Sequence, residues 1–345
     1  MHPYKKLPQD KFWKLFVAQK NFLEINDLWD PKFNIELNDK IVSYGSCFAQ
    51  HIGQALKSRG YKWMIFERPP HSLAKESCKV YNYNIFSART GNIYTTSLLK
   101  QWIEWSIDPD NIPDETWLSN SRYFDPFRPA IEPLGFENKN ELVLSRLECL
   151  NKFHTSILKS DVFIFTMGLT ECWINSDKGY EYPLCPGTIA GEFNDELHSY
   201  KNSSFSDVYN NLVSSLDLIR KINPKIKVIL TVSPVPLTAT KSANNVLVAT
   251  MHSKSILRAV AGEVSSQYDF VDYFPSYEII NSPVYQGAFF NTNKRGVSRP
   301  GVNFVMNSFF ISLHGKYGSP FNVVEEREVA DIKCEEELLE AFGND

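Results

Sequence analysis

The chain has 345 residues, of which 43% are hydrophobic and 22% charged, with 36 Lys and Arg against 40 Asp and Glu. That composition excludes a disordered chain, and a formal charge of -4 offers no attraction to a polyanion or an anionic membrane surface, so nucleic acid is not an expected partner. The longest apolar runs, Val162 to Phe165 and Val228 to Val232, are strand-length, far short of the ~20 residues of a membrane helix.

Residues 1–33 scatter Phe12, Trp13, Phe16, Phe22, Leu23 and Trp29 among charges, which predicts a partly helical lead-in packed on the body. No apolar core of a secretory signal is readable there, so the expected location is cytoplasmic. Lys40 to Tyr44 predicts a buried strand, followed by the turn Gly45-Ser46-Cys47 and a helix over Gln50 to Ser58 that ends at Gly60. Residues 62–138 are turn-rich and aromatic, an expected insertion or lid with one helix over Thr95 to Trp105. A helix over Glu141 to Lys159 leads to the strand Asp161 to Thr166 and a second turn, Met167 to Glu171. A loop marked by Pro183, Pro186, Gly187 and Gly191 precedes a helix over Ser206 to Asn223, the strand Lys227 to Val232 and the break Ser233 to Pro236. A helix over Leu247 to Ser266, a strand over Phe270 to Tyr273 and a last helix after Pro300 complete a body spanning residues 34–320. Residues 321–345 are acidic and read as a solvated tail with one marginal helix. Strands alternating with long helices predict an α/β protein, a doubly wound parallel sheet covered on both faces.

Cys47, Cys78, Cys149, Cys172, Cys185 and Cys334 form no Cys-x-x-Cys or Cys/His pattern, so neither a zinc site nor a disulfide framework is expected. Neither Gly-x-Gly-x-x-Gly nor a phosphate-loop pattern follows any predicted strand, and no cofactor is called for. In an open parallel sheet the ligand crevice lies beyond the carboxyl ends of the strands. Ser46 sits there, after a glycine able to turn sharply and at the start of a helix whose free N–H groups favour an anion. The competing reading is an N-cap serine. Cys47 is a second candidate nucleophile, since a helix N-terminus activates a thiol.

Tyr44-Gly-Ser-Cys-Phe-Ala49, Phe165-Thr-Met-Gly-Leu-Thr-Glu171, Thr231-Val-Ser-Pro-Val235, Ser253-Lys254 and Asp272-Tyr-Phe-Pro-Ser-Tyr-Glu278 together resemble the GSCFA domain family, bacterial proteins grouped with the SGNH (GDSL-like) hydrolases and acyltransferases. The resemblance implies a three-layer α/β/α SGNH-like fold, with Ser46 at the nucleophile position and the Ser46, Cys47 and Gly168 N–H groups as oxyanion donors. Thr170 falls where that superfamily has an asparagine amide, and Glu171 either pairs with a base or makes a structural hydrogen bond. The acid and base of the Asp-x-x-His pattern fall on Asn293 and Gly296, so a base must come from elsewhere. The order of preference is His198, then Lys254, then His252; His51, His154 and His314 read as structural.

Lys254 and Arg295 are candidate substrate contacts, and Arg89, Arg128 and Arg299 are further candidate anion receptors. Tyr81, Tyr83, Phe86, Tyr123 and Phe124 are either a stacking surface for a sugar or the insertion's own core. The implied activity is that of a serine O-acyl esterase or O-acyltransferase acting on a small molecule or glycan of carbohydrate or cell-envelope type. The alternative is a weak or inactive module of the same fold that binds a glycan or acyl ligand.

Overall fold

The computed structural model describes residues 2–320 and 335–343. Short single turns occupy the first 24 residues, after which Ile25, Trp29 and Ile35 enter the interior and Trp29 packs on Phe274 and Phe309. The body begins with strand β1 (Ile41–Gly45) and helix α1 (Ala49–Ser58), and continues through α2 (Lys75–Val80), α3 (Thr96–Ile107), the hairpin β2 (Trp117–Ser119) and β3 (Arg122–Phe124), and α4 (Lys139–Lys159). Then follow β4 (Val162–Met167), β5 (Glu171–Asn175), β6 (Glu181–Tyr182), β7 (His198–Asn202), α5 (Phe205–Ile222) and β8 (Lys227–Val232). The last elements of the body are α6 (Val246–Gln267), β9 (Val271–Tyr273), α7 (Ser276–Asn281) and α8 (Arg299–Tyr317).

β1, β4, β8 and β9 form one parallel sheet in that order. Its strands are apolar on both sides, and alternate residues feed two separate cores. Val42, Tyr44, Phe163, Phe165, Val228 and Leu230 pack with α3, α4, α5 and α6, whereas Ile41, Val162, Ile164 and Ile229 pack with α1, α7 and α8. The result is the expected three-layer α/β/α arrangement. Beyond β1, Trp63 makes a parallel bridge to Ile41, so the chain leaves β1 on one side, returns as β4 on the other, and makes β1 the switch point of the sheet. In such sheets the crevice lies at that point, outside the carboxyl ends of the strands.

Two expectations are corrected. The stretch after Glu171, read as a loop, is a three-stranded antiparallel sheet in the order β6-β5-β7. Its strands mix polar with apolar residues and so lack the continuous apolar signal of the main sheet. The acidic end, read as a solvated tail, includes a helical run over 335–343 whose Glu335 and Glu336 are each 5% exposed. The remainder of 321–345 lies outside the described residues.

Within 62–138, the candidate anion receptors are instead structural. Arg128 and Arg146 both bind the buried Asp125, at 2.9 and 3.0 Å, while Arg89 pairs with Glu132 at 2.8 Å and lies over the Tyr83 ring. Phe86 is buried and Phe124 packs against the same core. These aromatics and arginines hold the insertion together and fix it to α4.

Candidate active site

Gly45 ends β1 at φ +132°, a conformation side chains rarely adopt, and a Cβ there would lie 2.3 Å from the Thr166 carbonyl oxygen. This sharp exit delivers Ser46 to the carboxyl end of the sheet, 1% exposed. α1 has no side-chain cap, and the Ser46 hydroxyl has no hydrogen-bond partner among the described residues. The N-cap reading therefore does not describe this serine. A buried hydroxyl left without a partner is costly.

Across from it, β4 ends in the turn Gly168-Leu169-Thr170. A Cβ on Gly168 would lie 3.0 Å from Ser46 Cβ and 3.1 Å from the Tyr94 ring, so the two turns meet closely enough that any side chain here would press on both. α6 braces this turn from below. The Ser253 hydroxyl accepts from the Thr170 N–H at 3.1 Å, and the fully buried Lys254 ammonium donates to the Gly168 carbonyl at 2.7 Å. Thr170 Oγ1 donates to Asn202 Oδ1 at 2.7 Å, which sets the β7 carboxamide beside this turn. Asn202 was not singled out in the sequence, because it lies 32 residues from Thr170 and becomes its neighbour only through β5–β7 pairing.

The expected oxyanion donors are engaged in this conformation. The Ser46 N–H bonds to the Thr166 carbonyl at 3.0 Å and the Gly168 N–H to the Tyr94 carbonyl at 2.8 Å. Cys47 is buried beside them. Glu171 accepts from Thr240 Oγ1 at 2.7 Å, the structural bond that was one of its two readings.

His198 does not reach this place. It pairs with Asn175 at the far end of β7, four residues from Asn202 and roughly 13 Å along the strand. Its Nδ1 accepts from the Asn194 N–H at 3.1 Å and its ring packs against Tyr182 and Phe193, with burial lowering its pKa. Strand direction carries it away from a turn that it approaches in sequence. His252 is exposed on α6, and His51 is buried on α1 with its pKa pushed down to about 3 by desolvation, a neutral ring packed on Phe48. His154 and His314 make a contact to the Ser106 carbonyl and to the Tyr61 hydroxyl, respectively.

At the Asp-x-x-His register, Asn293 Oδ1 accepts from the Arg295 and Gly296 N–H groups, each at 3.0 Å, and closes a turn. A Cβ on Gly296 would meet Asn291 Nδ2, the end of an exposed side chain, at 2.9 Å. Arg295, from the same loop, is buried and binds Glu336 at 3.2 Å and Glu337 at 3.1 Å. Beside the Gly168 turn, Leu169, Trp173, Tyr182, Pro183, Leu184 and Leu237 line a mainly apolar cavity of about 210 Å³. Among the described residues no group of three His, Cys, Asp or Glu could hold a metal ion, and no helix is long and apolar enough to cross a membrane.

A sequence model described as the GSCFA family matches residues 40–309. The chain is also similar to a crystal structure of a mutant acetyl esterase with acetate ion, at 13% identity and a TM-score of 0.29, covering 66% of this chain and 92% of that one. No match was found among curated proteins.

Proposed function

Because the chain belongs to the GSCFA family, we propose that it performs ester chemistry of the hydrolase kind at Ser46, as a serine O-acyl esterase or O-acyltransferase for an ester of carbohydrate or cell-envelope type. The observation that carries this reading is the Ser46 hydroxyl itself, buried, uncapped and without a partner at a glycine elbow facing Gly168. The proton acceptor in this reading is Lys254 and not His198. Lys254 is 1% exposed and already bonded to the residue facing Ser46, and a lysine serves as a base in its neutral amine form.

Ser46 Oγ attacks the ester carbonyl while its proton passes to the Lys254 amine, and the resulting ammonium protonates the departing alkoxide. Water or an acceptor hydroxyl then repeats the sequence against the acyl-enzyme, returning the serine. For this the Lys254 nitrogen turns from the Gly168 carbonyl toward Ser46. The Asn202 carboxamide and the N-terminal turn of α1 support the oxyanion, joined by the Gly168 N–H once Tyr94 releases it, and the 210 Å³ cavity takes the acyl group.

Intact-mass labelling with a small fluorophosphonate tests this. One adduct on wild type, lost in Ser46→Ala, kept in Cys47→Ala and strongly slowed in folded Lys254→Met, is the expected result. A second reading, a module that binds an acyl or glycan ligand without turnover, is favoured by the lack of any described imidazole or ammonium within hydrogen-bond reach of Ser46. An unlabelled wild type beside a reacting control hydrolase would replace the first reading with the second.

A further inference from the structure

The acidic run at the end of the chain sits on the segments that border Ser46. Asn92 Nδ2 donates to Glu335 at 3.0 Å, the Thr238 N–H donates to Glu336 at 2.8 Å, and Arg295 holds Glu336 at 3.2 Å and Glu337 at 3.1 Å. Asn92 belongs to the stretch that carries Ile93, whose N–H bonds to the Gly45 carbonyl, and Tyr94, whose carbonyl holds Gly168. Thr238 follows the break after β8. One residue of the same run, Leu339, lines the apolar cavity beside Leu169. Glu336 and Leu339 stand three residues apart in a 3-10-type helix, about 6 Å along its axis.

Buried carboxylates require cations and donors built to receive them. Here those partners come from three separate loops at the carboxyl end of the sheet, where a ligand is expected, and not from the segment's own surroundings. The fit is incomplete, because among the described residues Asn92 Oδ1 and Thr238 Oγ1 stay buried without partners while the glutamates are in place. A receptor with spare polar atoms suits an occupant that carries donors of its own.

We propose that Arg295, the Thr238 N–H and the Asn92 carboxamide form a carboxylate-recognition subsite, that residues 335–339 occupy it as an internal mimic, and that the natural ligand joins a carboxylate to an apolar acyl group about one helical turn away. This rests on the reading that the crevice at Ser46 is the ligand site, but not on Ser46 being reactive. Arg295 is then a specificity-determining residue, and ligand entry to this subsite requires that Glu336 and Leu339 leave.

Hydrogen exchange on the full wild-type chain tests the proposal with N-hexanoyl-glutamate as the probe. Its carboxylates and acyl chain are expected to displace the segment and raise exchange of the 335–343 amides at least tenfold, while the neutral N-hexanoyl-glutamine amide leaves it protected. A Glu336→Gln/Glu337→Gln variant should bind the probe more tightly than wild type, and Arg295→Gln should weaken probe binding at least tenfold while keeping the wild-type circular dichroism. No displacement by the probe, or equal displacement by the neutral amide or by inorganic phosphate, would overturn the assignment. Should Arg295→Gln fail to fold, the wild-type exchange comparison still decides it. Fluorophosphonate labelling of Ser46 is scored separately, so loss of ester chemistry with probe binding intact, or the reverse, tells the two claims apart.

Discussion

Ser46 and Gly168 confront each other across the carboxyl ends of β1 and β4 so closely that a methyl group on Gly168 would crowd Ser46 and Tyr94. Gly168→Ala places a carbon at 3.0 Å from Ser46 Cβ and within 3.2 Å of the Tyr94 side chain and carbonyl. Overpacking of this kind costs about 1–3 kcal/mol. The expected variant is folded, with a lower melting temperature and at least tenfold slower fluorophosphonate labelling; wild-type labelling would show that the gap has no part in the chemistry.

Gly45→Ala should be far worse. Its Cβ would press on three backbone atoms of Thr166 at 2.3 to 2.9 Å, and its φ of +132° is strained for any other residue. All three atoms are backbone and cannot swing aside, so the loss should exceed the ~1–3 kcal/mol usual for a crowded core. Comparison of soluble yield and urea midpoint for the two glycine variants checks the ranking.

Asp125 bridges two buried guanidinium groups, Arg128 and Arg146, and these hold its carboxyl below the usual range despite complete burial. Asp125→Asn strands both charges in the interior and should cost about 3–5 kcal/mol, read as a lower denaturation midpoint. A loss under about 1 kcal/mol would mean the insertion is loosely attached and open to movement as a lid.

His51 and Glu181 give stability opposite dependences on pH. His51 titrates near 3 in the folded chain against 6.5 when exposed, so the unfolded state holds more protons between these values. Stability from this group is complete above 6.5 and is lost as pH falls toward 3, by an amount on the order of a few kcal/mol. His51→Met should flatten the decline of the urea midpoint over that window.

Glu181 is buried and its pKa raised to about 7 by desolvation, against which the Ser97 and Thr95 hydroxyls act as donors. The folded state now holds the extra proton, so its contribution is present below about 4.5 and fades as pH rises through 7. Glu181→Gln should gain stability relative to wild type between pH 5 and pH 8. An unchanged difference across that range would mean the carboxyl is already ionised at pH 5.

The main sheet was legible because strands buried on both faces announce themselves as apolar runs, as Val162 to Met167 and Lys227 to Val232 do. Ser46 was legible from the glycine elbow. The sheet of β5, β6 and β7 was not, since Glu171 to Asn175 and His198 to Asn202 carry their polarity on half-exposed faces and pair across a loop rich in proline and glycine. Preference for His198 over Lys254 followed position along the chain, which says nothing of strand direction. A usable signal was present nonetheless: Lys254 interrupts a buried stripe of Thr250, Ser253, Leu257, Ala261 and Val264, and a lysine on the inward face of a helix needs a partner. The acidic end looked solvated because Arg295, about forty residues earlier, is its partner only in the fold.

The position of β1 between Trp63 and β4 also sets when this site comes into being. β1 is joined to its neighbour by contacts such as that of Lys40 with Asp161, 121 residues further along. Closing so long a loop is entropically unfavourable until the intervening helices have condensed. The crevice therefore depends on closure of the 121-residue separation between Lys40 and Asp161. During synthesis Ser46 emerges early but has no facing wall until Thr166 and Gly168 have left the ribosome, so a nascent chain arrested before that point carries the serine and lacks the pocket.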